Sequence, residues 1–495
     1  LEDSEVVSIT IEGEGLAGNP FEVTNYADLK KIGTGVDGWG LDGHYLQTDD
    51  IDASVSVSEN SGAGWEPIGT EETPFTGAYD GGIYKISNLY IERPEQTFVG
   101  LFGVAEDARF NYMTLENVSI YGQALVGGIV GQLKIASENV SMIANEVSGS
   151  VTAMHTLTGG LAGQIVPNTG EPSPLLVEIR DNHVSASIIT TNEGTLVGGL
   201  VGQIAGCEIL VGENGYVGDI VGRYIVGGIV GQAASSSQIV FRNNHSDGTI
   251  SYSGESGGFM MGGIAGFLTG ADINVTHNQS TMDITVDSYA DRIGGLVAYI
   301  TPEQLNLSDS FATGNIVVTE RGQMVGGLIG QASGAGMTIS DSYATGSIEI
   351  GGGTLYAGGF IGFSTGEITI SQCYAAGNVN SPNSYGGDLF LGGFAGYIAG
   401  MGSLDQSYAI GDVNAPFADQ VGGLIGHTNL VVSNCYAQGD VSGDTQVGGL
   451  VAYYQYSELE NYKITNSYSS GAVSGNEEVG GLVGFADPDT NVTNS

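Results

Sequence analysis

Apolar residues along this chain fall in short runs separated by glycine, serine, asparagine and aspartate. In the stretch beginning at Gly326, GGLIGQASGAGMTISDSYATGSIEIGGGTLYA, one run is Leu328 and Ile329. A second is Met337, Thr338 and Ile339, and a third is Ile348, Glu349 and Ile350. Each run is brief, β-branched or alternating, and bounded by turn residues, which predicts three short strands and no helix. Helical periodicity is absent throughout the repeated region, and the glycine content would penalise helices in any case.

The unit recurs. Glycine pairs begin at Gly127, Gly159, Gly198, Gly227, Gly262, Gly294, Gly326, Gly358, Gly392, Gly422, Gly448 and Gly480, at steps of 26 to 39 residues. Around them the text is nearly constant: VGGIVGQ at 126–132, VGGLIGQ at 325–331, VGGLVGF at 479–485. Self-similarity at such a period marks a stack of supersecondary units sharing one core. Three strands per unit, stacked in register on the next unit, predict an all-β fold: a parallel β-helix, or β-solenoid, of about 13 coils. At about 4.8 Å per coil the rod is roughly 60 Å long.

A second in-phase element is aromatic. Phe311, Tyr343, Tyr374, Tyr408, Tyr436 and Tyr468 recur in SFATG, SYATG, CYAAG, SYAIG, CYAQG and SYSSG. In-register stacking predicts a structural ladder of rings. Because each ring is followed by a small residue and a turn glycine, the ladder is expected to lie in the core or at a corner; facing solvent, it could bind sugars. The paired glycines are expected at a bend with positive φ or close backbone approach.

The chain has 495 residues, with Lys+Arg 12 against Asp+Glu 55 and a formal net charge of −43. Such a surface repels phosphate backbones and anionic membranes, excluding nucleic acid as a partner and suiting a soluble extracellular protein. Gly 83 without a Gly-X-Y period is not collagen, and a hydrophobic fraction of 41% supports a core. Cys373 and Cys435 share a repeat position two units apart, about 9–10 Å along the stack and beyond disulfide reach. With Cys207 they are expected as free buried thiols. The most apolar stretch, 196–205, is far shorter than a membrane span, so this segment should not insert into a bilayer.

The first 121 residues differ in composition and hold both tryptophans, Trp39 and Trp65. Tyr26, Leu29 and Ile32 fit one short amphipathic helix with Asn25 as N-cap. The stretches NPFEVTNYADLKKIG, HYLQTDDIDAS and GWEPIGTEETPFTGAYDGGIYKISNLYIERPEQTFVGLFG, followed by the GGLVG-type repeats, resemble the leading segment and repeats of GLUG-motif proteins of bacterial and archaeal surfaces. The resemblance covers nearly the whole chain and implies a right-handed β-helix on or outside the cell, with no catalytic residues to carry over. The organisation read is an N-terminal extension with a β segment (1–17; VVSITIE at 6–12), an N-terminal capping region with the first coils (18–121), and GLUG-type β-solenoid repeats (122–495). The chain starts at Leu1, and no distinct cap closes NVTNS at 491–495. Excision from a longer protein and head-to-tail or strand-addition assembly are both expectations from these ends.

Chemistry is sparse. The histidines His44, His155, His183, His245, His277 and His427 show no metal-site spacing, and no Cys-x-x-Cys occurs. A Gly-x-Gly-x-x-Gly at Gly33, Gly35 and Gly38 lacks the strand and helix of a dinucleotide site. Asp49, Asp50, Asp52, Asp487 and Asp489 are the densest acidic turns and the candidates for weakly bound Ca²⁺; no other cofactor is expected. Sequons at Asn117, Asn139, Asn244, Asn274, Asn278, Asn306 and Asn491 are glycosylation candidates. The functional expectation is a non-enzymatic extracellular structural or adhesive solenoid, self-associating as a filament or surface array, with glycans or other cell-surface proteins as further partners. The alternative is a carbohydrate-binding or carbohydrate-active β-helix protein.

Overall fold

A computed structural model describes residues 13–191, 195–252, 259–352, 354–383, 389–455, 463–488 and 490–493. The proposed strand at 6–12 lies outside them. The chain is a parallel β-solenoid of about 13 turns, and one repeat is one coil. In the coil that opens at Gly322 the strands are Gly322–Gly326, Ile329–Ser340, Tyr343–Ala344 and Ile348–Ile350. Every one pairs in parallel with its equivalent in the next coil: Gly326 with Gly358, Ile329 with Ile361, Tyr343 with Tyr374, Ile348 with Val379.

Two of the expected strands fuse. Ile329 of the first run and the run at 337–339 belong to one strand, Ile329–Ser340, with a register irregularity between Gly334 and Met337, while Leu328 lies in the bend before it. The intervening ASGAG reads as a turn alone, but Ala332 pairs with Ile300 and Ser364, and Ser333 and Gly334 pair onward with Thr365 and Gly366, which outweighs local turn preference.

Phe21 pairs with Tyr45, Tyr45 with Tyr79, Tyr79 with Phe110 and Phe110 with Met142. The N-terminal region therefore supplies coils of the same stack. The change near residue 121 falls inside the strand Thr114–Gly127 and marks no break in the core. The helix Tyr26–Lys31 forms as expected, with the Asn25 side chain accepting hydrogen bonds from the backbone N–H of Ala27 and Asp28. Leu29 is fully buried beneath it.

The glycine pairs work by proximity. A Cβ on Gly327 would lie 2.0 Å from the carbonyl oxygen of Gly359 and 3.0 Å from Cβ of Ala344. The same Gly–Ala opposition recurs at Gly359 and Ala375, Gly393 and Ala409, and Gly423 and Ala437, each at 3.0 Å. The solenoid interior is thinnest here, so one wall is glycine and the other alanine. The left-handed corners of these coils are instead non-glycine residues, such as Asp309, Asp341, Gln372, Gln406 and Asn434 (φ 47 to 56). Asn and Asp tolerate this conformation through their short polar side chains, and none of these corners is β-branched.

Candidate functional site

The side chains that could meet a partner are set out in columns, one residue per coil. The aromatic column is real. Ring centroids are 4.8 Å apart for Phe311–Tyr343 and Tyr343–Tyr374, then 5.0, 4.6 and 5.3 Å to Tyr408, Tyr436 and Tyr468, with interplanar angles of 3 to 8°. Of its two expected places, the core is excluded. Phe311, Tyr343, Tyr374, Tyr408 and Tyr436 are half-buried on the outer wall beside the left-handed corner, and Tyr468 is exposed. The alanines at 312, 344, 375, 409 and 437 point inward instead. The reason is the thin interior: the wall opposite the paired glycines has room for a methyl group and none for a phenol. Burial, with adjacent phenols adding repulsion, pushes the Tyr374 and Tyr436 hydroxyls above their usual range.

On the next wall the residue after each GGLVG unit forms another column. Gln132, Gln164, Gln203 and Gln232 hand an amide hydrogen bond from coil to coil, each Nε2 donating to the next Oε1 at 2.6, 2.7 and 2.7 Å. The column then turns aromatic: Phe267 stacks on Tyr299 at 4.9 Å, Phe363 on Tyr397 at 5.1 Å, and Tyr397 on His427 at 4.6 Å. His427 is buried, with Gln420 at Nδ1 and Gln455 at Nε2. Burial holds its imidazole below the ordinary pKa, against the opposing pull of the Gln455 hydrogen bond and the Asp487 charge.

Inside the coil, immediately after each left-handed corner, runs a third column that sequence reasoning missed: Asn145, Asn182, Asn214, Asn244, Asn278, Ser310, Ser342, Cys373, Ser407, Cys435 and Ser467, all 0–2% exposed. Each asparagine donates both its backbone N–H and its Nδ2–H to Oδ1 of the asparagine one coil on, as far as Asn244 to Asn278. Serine takes over: Asn278 N–H donates to Ser310 Oγ at 3.1 Å, and Ser310 N–H to Ser342 Oγ at 3.1 Å. Cys373 and Cys435 occupy the same column two coils apart. All three cysteines are free and buried, and desolvation pushes each thiol up to about 12. The missed signal was phase: an asparagine in NHV, NGY, NHS and NQS stands where serine or cysteine stands in SYA and CYA.

Two glycosylation candidates stand in this column. Asn244 and Asn278 are 0% exposed and consumed by ladder bonds. Asn117, Asn139 and Asn306 are exposed and Asn274 is half-buried; the side chain of Asn491 lies outside the described part of the chain.

The acidic candidates do not converge. Asp49 Oδ1 accepts from Asp50 N–H, Asp50 Oδ1 from Lys85 N–H, and Asp52 Oδ1 from Ser54 N–H and Asn88 Nδ2. The Asn88 hydrogen bond, with those from Ser54, holds Asp52 below the usual carboxylate range. Asp487 accepts from the Tyr453 hydroxyl at 2.9 Å, and Asp489 lies outside the described residues. Other carboxylates cap the next coil, as Asp412 does for Asp440 N–H and Asp440 for Ala472 N–H, both at 2.8 Å. Among the described residues no set of three His, Cys, Asp or Glu side chains is arranged to hold a metal.

The N-terminal region contains a cavity of about 340 Å³ lined by Lys30, Leu41, Glu59, Trp65, Glu66 and Thr70 among others. Glu59 takes hydrogen bonds from Tyr26 and Lys30, and Trp65, 2% exposed, donates its indole N–H to Leu101 O. The indole face is therefore not offered to a ligand.

The fold and these columns define a parallel β-solenoid, and partial relatives point to surface proteins. No family model matches the chain, so the likeness to GLUG-motif proteins has no support beyond the residues that suggested it. The chain is 34% identical over 168 residues to Halomucin of Haloquadratum walsbyi, covering 33% of this chain and 2% of that protein. It is 31% identical over 139 residues to a glycine-rich protein of Evansella cellulosilytica whose name assigns it to a membrane, covering 27% and 16%. The chain thus spans a small fraction of either relative. A crystal structure from Bacteroides ovatus named for an immunoglobulin A1 protease aligns over 94% of this chain and 86% of its own, at 14% identity. Its TM-score of 0.21 carries no argument. Among the described residues no helix is long and apolar enough to cross a membrane.

Proposed function

We propose that this chain is a non-enzymatic structural segment of an extracellular or cell-surface protein, a rigid acidic spacer that holds whatever it joins at a fixed distance. The observation that carries this reading is the continuity of the columns. The core runs from the N-terminal coils to the last, the polar ladder inside it runs from Asn145 to Ser467, and the outer walls are spent on contacts between coils. The tyrosine ladder, although solvent-facing, supports the same reading. Sugars bind on ring faces, and rings 4.6–5.3 Å apart cover each other's faces and leave only edges. Tyr468 at 49% exposure is the exception.

Self-association belongs to the proposal. What supports it is the repeat itself: each coil pairs in register with an equivalent coil, so the stacking faces are self-complementary. Electron microscopy of the purified chain tests both parts. Rigid rods of about 60 Å support the spacer, and their end-to-end joining supports the filament. Flexible or globular particles would refute both. A glycan panel tests the carbohydrate alternative, for which binding or product formation is the supporting result.

A further inference from the structure

The tyrosine column has a second half. Followed toward the N-terminus through the strand register, it reads Phe311, Gln279, His245, Gly215, His183 and Glu146. His183 and His245 thus point from the same wall in alternate coils with only Gly215 between them.

That arrangement differs from every other part of the column. Neighbouring coils are about 4.8 Å apart, so side chains on them lie side by side, as the phenols do. Two coils span about 9.6 Å. Because Gly215 contributes no side chain, no side chain of the intervening coil stands between the two histidines in this column. The imidazole of His183 already leans there: a Cβ on Gly215 would sit 2.8 Å from His183 Nδ1. His245 Nδ1 is shielded from solvent and has no hydrogen-bond partner, which is unusual for a ring nitrogen on an outer wall. A tetrahedral Zn²⁺ takes imidazole nitrogens at about 2.0–2.1 Å, a span that fits two rings reaching toward each other across one coil. The carboxylate of Glu146 is exposed in the same column, while Asp181 and Glu213 at the adjoining corners are ion-paired with Arg180 and Arg242.

We propose that His183 and His245 form a two-imidazole clip for a borderline transition-metal ion such as Zn²⁺, completed by water and seated over Gly215. Bound there, the ion cross-links alternate coils, a clamp on the stack with no catalytic role. Histidine supplies the specificity: hard cations prefer the carboxylates spread over the rest of the surface, whereas imidazole selects zinc, copper and nickel.

The test uses the full chain without an affinity tag, in metal-free buffer at an ionic strength high enough to screen the surface charge. Zn²⁺ binding is read by competition with a chromophoric chelator. One ion per chain is expected, weakened at least tenfold by His183→Ala, by His245→Ala and by Gly215→Ala, whose methyl group displaces the His183 ring. His277→Ala leaves binding unchanged. On the unaltered chain, Zn²⁺ should protect His183 and His245, and not His277, from acylation by diethyl pyrocarbonate, a readout that does not depend on any variant folding. Absence of stoichiometric binding, or binding indifferent to these replacements and without selective protection, overturns the proposal.

Discussion

Oδ1 of Asn182 accepts two hydrogen bonds from Asn145, one from its backbone N–H at 2.9 Å and one from its side-chain Nδ2 at 2.8 Å. The arrangement repeats at Asn214, Asn244 and Asn278, so a polar rod runs inside an apolar core. Each Nδ2 also donates backwards to a carbonyl, as Asn182 does to Met142 O at 2.8 Å. A buried amide is tolerated only because its donors and acceptor are all used, and each link depends on its neighbours.

Asn214→Ala therefore strands two donors of Asn182 and the carbonyl of Ile179 at one stroke. The expected loss is about 3 kcal/mol, following the usual cost of unsatisfied buried groups. Equilibrium urea unfolding reads it. A change within about 0.5 kcal/mol would mean the ladder bonds are not formed.

At the thin edge of the coil, Gly359→Ala places a Cβ 2.1 Å from Gly393 O and 3.0 Å from Ala375 Cβ. The first contact is with backbone, which cannot rotate away. A loss of about 3 kcal/mol or failure to fold is expected, and Ala375→Gly should not rescue it. Rescue would show that the side-chain contact, not the backbone approach, demands the glycine.

His427 makes stability depend on pH. Its folded pKa lies below that of the unfolded chain, so the unfolded state takes up the proton first as pH falls. The stabilisation is complete above the ordinary imidazole value of about 6.5 and declines as pH drops below it toward the folded pKa. Thermal melts from neutral pH down through the ordinary imidazole range should show this decline, and His427→Gln should flatten it. An unchanged slope in the variant would assign the effect to other groups.

When the chain is produced in a host that modifies sequons, glycopeptide mapping should find occupancy at Asn117, Asn139 or Asn306 and none at Asn244 or Asn278 in folded material. Glycan on either ladder asparagine would require that coil to be open at the time of modification.

Much of this was legible in the residues alone. A regular period, nearly constant text around paired glycines and tyrosines in phase give one coil per repeat and rings stacked on rings, because an in-register stack brings equal positions together. Asn25 and Leu29 likewise announced the N-terminal helix, since capping and helical spacing are local properties. The direction in which a column faces is not local. It depends on a left-handed corner such as Asp341, which turns Ser342 inward and Tyr343 outward, and on a coil so thin that Gly327 meets Ala344 across it. The sequence by itself thus determined the period and the register. Only the tertiary structure decided that the tyrosines face solvent, that Asn244 and Asn278 are buried and satisfied, and that His183 and His245 share one wall, because inside and outside are properties of the closed coil.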